Sequence, residues 1–292
     1  MQKNFNLAWR STSNNQKNLR APDIRAGRSQ LIKKIVERSN SIKHMSLVIR
    51  LSSVIIENKI LLSSFAENVE ILVDNGLNLI IIHEYGNLLT KQLNLLGINE
   101  RRYNPHFGEE QLSGLFEMVI SGHINKHIVS KLCSFGVMAI GFSGKDGNLL
   151  VAKKSNHIAI TDSWLYATEP SLVNPEVLLA IEDTKIVPII SPVTCTEKGK
   201  TAMLDPEITS AMVATAVNAN KLIIMCENDF LINKVGAISS VAELNDLLIN
   251  NIEVDISDPL VKASKYALLN SDIIIQFIDA RANDSLLLAI FD

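Results

Sequence analysis

The sequence predicts an α/β protein in which a mainly parallel sheet is covered by helices on both faces. Three observations predict it. Short apolar runs recur along the chain, and they are continuous rather than alternating, as strands buried on both faces require. Segments with apolar residues at helical spacing separate these runs, the pattern of strand–helix–strand crossovers. The length of 292 residues, 47% hydrophobic and 20% charged, supplies a core for one such domain or two modest ones.

Residues 1 to 28 fall outside this pattern. They carry Lys3, Arg10, Lys17, Arg20, Arg25 and Arg28 against the single acid Asp23, among many Asn and Ser. Such a segment cannot build a core and reads as a disordered basic tail, with organelle targeting as the alternative. In residues 29–45, Leu31, Ile32, Ile35 and Val36 recur at helical spacing among Lys33, Lys34, Glu37 and Arg38. This predicts a short amphipathic helix outside the main fold, which either packs on its own domain or pairs with a second subunit.

Strands are expected near Leu47–Leu51, Leu79–His83, Val137–Gly141, Ile186–Ser191, Leu222–Cys226 and Ile273–Ile278. Helices are expected near Ser64–Asn75, Leu88–Leu96, Glu109–Phe135, Pro175–Ile181, Pro206–Asn218, Val241–Ile249 and Pro259–Asn270. Between Gly147 and Thr201 the pattern weakens into short antiparallel pieces around Ile158–Thr161 and a turn at Thr194–Thr201.

A net charge of -3 leaves no global nucleic-acid footprint, and runs such as Leu77–Ile82 are too short to cross a bilayer. Neither nucleic acid nor a membrane is expected as a partner, and the expected location is the cytoplasm. Cys133, Cys195 and Cys226 form no paired motif, which suits a reducing compartment. His123 and His127 stand four apart on an expected helix, but no third ligand is spaced to help, so no metal site is assigned.

Ligands of an open parallel sheet sit beyond the carboxyl ends of its strands. One such end is the run Val137 to Gly147, an apolar strand entering the loop Ser143, Gly144, Lys145, Asp146, Gly147. Gly141, Gly144 and Gly147 allow either an anion-facing backbone or simply a tight strand-to-strand turn.

The stretch from Phe116 to Lys126, followed by the Ser143–Gly147 loop, resembles the amino-acid kinase family, and within it the acetylglutamate kinase branch. Val173–Leu179, Lys221–Ile224 and Ile278–Arg281 follow the same pattern, and the similarity runs from about Ser46 to the C-terminus. The resemblance implies a three-layer αβα sandwich around a mainly parallel central sheet, the fold of carbamate kinase. It implies a domain over 46–292, with 46–200 binding the acyl-amino acid and 201–292 the nucleotide. The implied reaction moves a phosphoryl group from Mg-ATP to the side-chain carboxylate of N-acetylglutamate, in a dimer or hexamer.

Bringing two anions together requires positive charge and backbone N–H groups around the migrating phosphoryl. The family ends its first strand with Lys and two glycines where this chain has Arg50, Leu51, Ser52 and Ser53. Its second strand ends in His and three glycines where this chain reads His83, Glu84, Tyr85, Gly86 and Asn87. A misplaced charge such as that of Glu84 costs about 3–4 kcal/mol at an effective dielectric near 20. The family's substrate-clamping Arg aligns with His106, and its Asn-x-Asn-Ala-Asp stretch aligns with the segment holding Met203, Asp205 and Glu207. Lys262 aligns with the second catalytic lysine. The resemblance thus gives Arg50 and Lys262 charge neutralisation, Glu207 their orientation, and Ser52, Ser53 and Gly86 backbone donors. The departures imply weak or absent standard activity, with a pseudokinase acting as a binding or regulatory subunit as the alternative.

Overall fold

The computed structural model describes residues 21–95, 97, 109–152, 167–250 and 258–290. Ala21–Glu37 (α1) and Ser39–Ile42 (α2) lead into Ser46–Leu51 (β1). A short helix, Ser53–Glu57 (α3), caps that strand end, and Lys59–Asp74 (α4) follows because the Asn58 side chain accepts from the Ile60 and Leu61 N–H groups. Its Leu62, Phe65, Ala66, Val69, Leu72 and Val73 form one apolar stripe. Next come Asn78–His83 (β2), Gly86–Leu95 (α5) and Glu109–Glu117 (α6). The expected long helix then passes through a π-helical segment, Met118–Ile124, before Asn125–Cys133 (α7) and Met138–Ser143 (β3).

Beyond β3 lie Leu150–Ala152 (β4), Ala167–Thr168 (β5), Pro170–Val173 (β6), Glu176–Leu179 (α8), Ile186–Ser191 (β7), Val193–Thr196 (β8) and Thr201–Leu204 (β9). Pro206–Ala216 (α9) starts where Asp205 caps it and Pro206 supplies a preset φ. Lys221–Cys226 (β10), Ala237–Ile238 (β11), Val241–Asn250 (α10), Pro259–Asn270 (α11), Ile274–Asp279 (β12) and Ser285–Leu288 (α12) complete the order.

The main sheet has seven strands in the order β11-β12-β10-β1-β2-β7-β3, and all of its pairings are parallel except that of β11. Side chains divide by strand parity. Leu47, Ile49, Leu51 and Ile81 meet Phe65 and Val69 of α4, Ile128 and Leu132 of α7, and Leu286 and Leu287 of α12. Val48, Ile80, Ile82, Leu222 and Ile224 meet Ala211 and Ala214 of α9 and Ala263 and Ala267 of α11. These are the three layers of an αβα sandwich. Connections run one way from β1 through β2 and the other way to β10, so the β1/β10 crevice is the switch point of the sheet.

Three expectations change. Residues 21–28, read as tail, are the first part of α1, and residues 1–20 lie outside the described residues. The helix does not stand outside the fold. Ile35 and Ile42 are in the core, Leu31 packs against it, and Arg28 pairs with Glu67 and Asp284 at 2.8 and 3.3 Å. The weak region after Gly147 forms a second, five-stranded sheet in the order β5-β9-β8-β4-β6, with β4/β6 and β8/β9 antiparallel but β4/β8 and β5/β9 parallel. The piece at Ile158–Thr161 lies outside the described residues. Among the described residues no helix is long and apolar enough to cross a membrane.

Candidate functional site

Parity sends Arg50, like Val48, to the face covered by α9, at the carboxyl end of β1 and beside the switch point. Burial of its guanidinium, 5% exposed, demands acceptors. Nη1 donates to the Met225 carbonyl at 2.8 Å, across the β1/β10 crevice. Nη2 is shared between the carboxylates of Glu84 and Glu207. Burial alone would lower the Arg50 pKa, but the two carboxylates outweigh it and hold it above its ordinary value.

The register places Leu51 opposite His83, so Glu84 emerges directly beside the turn after β1. Its Oε2 accepts from the Ser53 N–H at 2.6 Å while Oε1 takes Arg50. Burial raises the Glu84 pKa even against the attraction of Arg50. For Glu207, burial is again the largest influence, but Arg50 together with hydrogen bonding overcomes it and the pKa lies below the ordinary value. Asp205, close by, is pushed up to about 6 by burial and then by the Glu207 charge. Ser52, fully buried, donates to Glu227 and accepts from the Val54 N–H at 3.2 Å, capping α3.

Behind Glu84 the imidazole of His83 is fully buried. Its Nδ1 lies 2.8 Å from the Glu84 carbonyl, so this nitrogen is assigned the proton, and Nε2 then accepts from the Asn125 amide at 3.3 Å. Burial first, then the Lys126 charge, lowers the His83 pKa to about 4 and keeps the ring neutral. Gly86 is required here: its φ is +41°, and a Cβ at this position would run into Ser53.

Chemically, the Arg50 guanidinium and the Ser53 N–H are both already taken up by carboxylate oxygens. One guanidinium charge faces two carboxylates, with Glu227 and Asp205 at the margin, so among the described residues of this cluster the acidic groups outnumber the basic one. Among the described residues no group of three or more His, Cys, Asp or Glu side chains is placed to hold a metal ion.

The structure therefore brings together Arg50, Ser52, Ser53, Glu84, Gly86 and Glu207. Tyr85 joins them only in part: its side chain packs in the core, where burial and then Asp205, Glu207 and Glu84 push the phenol pKa up. Other expected residues do something else. Met203 lies in the core, 5% exposed, so it does not present itself to a substrate. The Asp205 carboxylate caps α9, accepting from the Glu207 and Ile208 N–H groups at 2.9 and 3.0 Å. Lys262 is exposed on α11, and among the described residues no hydrogen bond or ion pair joins it to Arg50 or Glu207. His106 lies outside the described residues.

The Ser143–Gly147 loop is a tight strand-to-strand turn, the second of its two readings, because its donors are turned inward. The Ser143 N–H binds the Asp146 carboxylate at 2.6 Å, the Gly144 N–H binds the Val193 carbonyl at 2.7 Å, and the Lys145 N–H binds the Ser143 hydroxyl at 3.3 Å. Lys145 Nζ holds Glu117 and Thr201 at 2.6 and 2.8 Å. Reasoning from sequence gave no role to Glu227 or Asn125, although both stand in stretches it marked. Glu227 lies in Cys226–Asp229, at the carboxyl end of an expected strand, and Asn125 lies in the Phe116–Lys126 stretch that carries the resemblance; their partners Ser52 and His83 are far away in sequence.

The profile of the amino acid kinase family matches residues 45–255. The chain belongs to this family. An acetylglutamate kinase of Parvibaculum lavamentivorans is 33% identical over 184 residues, 60% of this chain and 60% of that protein, so this match leaves a large part of the relative unspanned. One of Pelobacter propionicus is 27% identical over 89% of this chain and 96% of its own length. One of Caldanaerobacter subterraneus subsp. tengcongensis is 33% identical over 74% of each chain. Among solved structures, the N-acetylglutamate synthase of Neisseria gonorrhoeae complexed with coenzyme A and N-acetyl-glutamate has a TM-score of 0.66 at 20% identity, covering 89% of this chain and 60% of that one. Giardia carbamate kinase has a TM-score of 0.59 at 11% identity, covering 83% of this chain and 95% of that one. At these identities the structures establish the shared fold.

Proposed function

We propose that this chain is an acetylglutamate kinase homologue whose standard turnover is weak or absent. The reaction it derives from is phosphoryl transfer from Mg-ATP to the side-chain carboxylate of N-acetylglutamate. Residues 46–200 form the acyl-amino-acid-binding half and 201–292 the nucleotide-binding half. Arg50 is the phosphoryl-side charge, Glu207 orients it, the Ser53 N–H is a backbone donor, and Lys262 is the counterpart of the family's second catalytic lysine. The protein works in the cytoplasm as a homo-oligomer.

One observation carries the reduced activity. Arg50 Nη2 is committed to both Glu84 and Glu207, so the charge that the transition state needs is cancelled within the resting chain. The same observation favours a second reading, in which the chain is a pseudokinase that acts as a binding or regulatory subunit.

The test is acyl-phosphate formation by the purified full chain with Mg-ATP and N-acetylglutamate, trapped as a hydroxamate beside a Lys262→Ala control. Turnover far below that of an active relative, and lost in the control, is the expected result. Turnover equal to an active relative would remove the proposal of a weakened site, and a signal no higher than the control would leave the pseudokinase reading.

A further inference from the structure

The ligand in the oxyanion position of this chain is one of its own side chains. Glu84 reaches Arg50 Nη2 with one oxygen and the Ser53 N–H, at 2.6 Å, with the other. A guanidinium and a backbone amide are the donors that ordinarily hold a free carboxylate or phosphate oxygen. We propose that Arg50 and the Ser53 amide form an oxyanion site whose resident ligand is the Glu84 carboxylate, and that an external phosphate or carboxylate binds by displacing it. The inference rests on the anion-site reading given above and names how that site is regulated.

Several features make Glu84 a removable occupant rather than a structural ion pair. The two donors come from the end of β1 and the start of α3, a different segment from that of Glu84, and Arg50 is held independently by the Met225 carbonyl and Glu207. The Glu84 side chain is 20% exposed against 5% for Arg50, so the carboxylate has a solvent side to leave by. When it leaves, Glu207 still neutralises Arg50, and no buried charge is stranded. Burial also raises the Glu84 pKa, which marks its charged form as held at a cost. Addition without displacement fails on charge, because an incoming anion would meet two carboxylates on one guanidinium.

Titration calorimetry of the full chain at fixed ionic strength, with inorganic phosphate in one arm and acetate in the other, tests this. Glu84→Gln keeps the shape and removes the charge, and it should bind at least one of the two anions about tenfold or more tighter than the unaltered chain. The arm that gains identifies a tetrahedral or a planar oxyanion as the fitting ligand. Adding Ser53→Pro removes the amide donor at the first helical position of α3, where proline is tolerated, after Ser52 in the extended conformation (φ -67°, ψ 145°) that precedes proline well. The double variant should lose the gain. Should Glu84→Gln fail to fold, Glu84→Asp replaces it: its shorter arm cannot span both donors, and a smaller gain is expected. No gain in either arm, or a gain that survives Ser53→Pro, overturns the inference. Anion affinity needs no turnover, so a gain without hydroxamate overturns only the kinase reading. Hydroxamate without a gain overturns only the displacement.

Discussion

Asp205 is pulled in two directions by its surroundings. As the cap of α9 it accepts two backbone N–H groups, which favour the charged carboxylate, while burial and the neighbouring Glu207 disfavour that charge and prevail, giving a pKa of about 6 against an ordinary 3.8. Between those two values the folded chain holds more protons at this position than the unfolded chain, so its contribution to stability falls as pH rises through the window. His83 works in the opposite sense. Its folded pKa of about 4 lies below the ordinary 6.5, and stability is lost as pH falls between them. The net profile therefore mixes the two, and a variant is needed to separate them. Asp205→Asn keeps a good cap and removes the ionisation. Measured by urea unfolding, its stability relative to the unaltered chain should be near level at pH 4 and should rise to a plateau above pH 6. A difference that stays constant across that range would show that Asp205 does not titrate as its surroundings dictate.

At the scale of elements, α1 shows what spacing conveys and what it leaves open. The recurrence of Leu31, Ile32, Ile35 and Val36 announces a helix, but an apolar stripe does not say which surface will cover it. The answer comes from distant chain: Ile35 is fully buried in the core shared with α4 and α12, and Arg28 ties the helix to Glu67 and Asp284, whereas Val36 is 54% exposed. Ile35→Ala should therefore cost about 2–5 kcal/mol in chemical denaturation, and Val36→Ala about 0.5 kcal/mol or less. Equal effects of the two changes would mean that the helix is not part of this core. The same limit hid how Glu84 is held, although its misplaced charge was legible. Its partner Ser53 lies 31 positions away and is brought beside it only by the parallel register of β1 and β2.

Across the whole molecule, the large sheet was legible because its strands are continuous apolar runs that need no partner to be recognised. The small sheet was not. Its strands are short and mix Thr, Ala and Pro, so their pairing follows from how they dock on the large sheet rather than from any local period. Gly144 is where the two sheets are joined. Its N–H binds the Val193 carbonyl at 2.7 Å and its carbonyl accepts from the Leu150 N–H at 2.9 Å, so this one residue engages the leading ends of both β8 and β4. A Cβ here would stand 2.7 Å from that of Thr194 and 2.9 Å from that of Leu150, two atoms close to the backbone that cannot swing away. Gly144→Ala must therefore push β4 and β8 apart from the turn, an overpacking cost of about 1–3 kcal/mol. The strain is local to the junction, while β1, β2 and β10 keep their own pairings. Hydrogen exchange should accordingly speed up in β4, β8 and β9 well before it does in the large sheet. Uniform acceleration in both sheets would mean that they open as one unit and that Gly144 is not the seam between them.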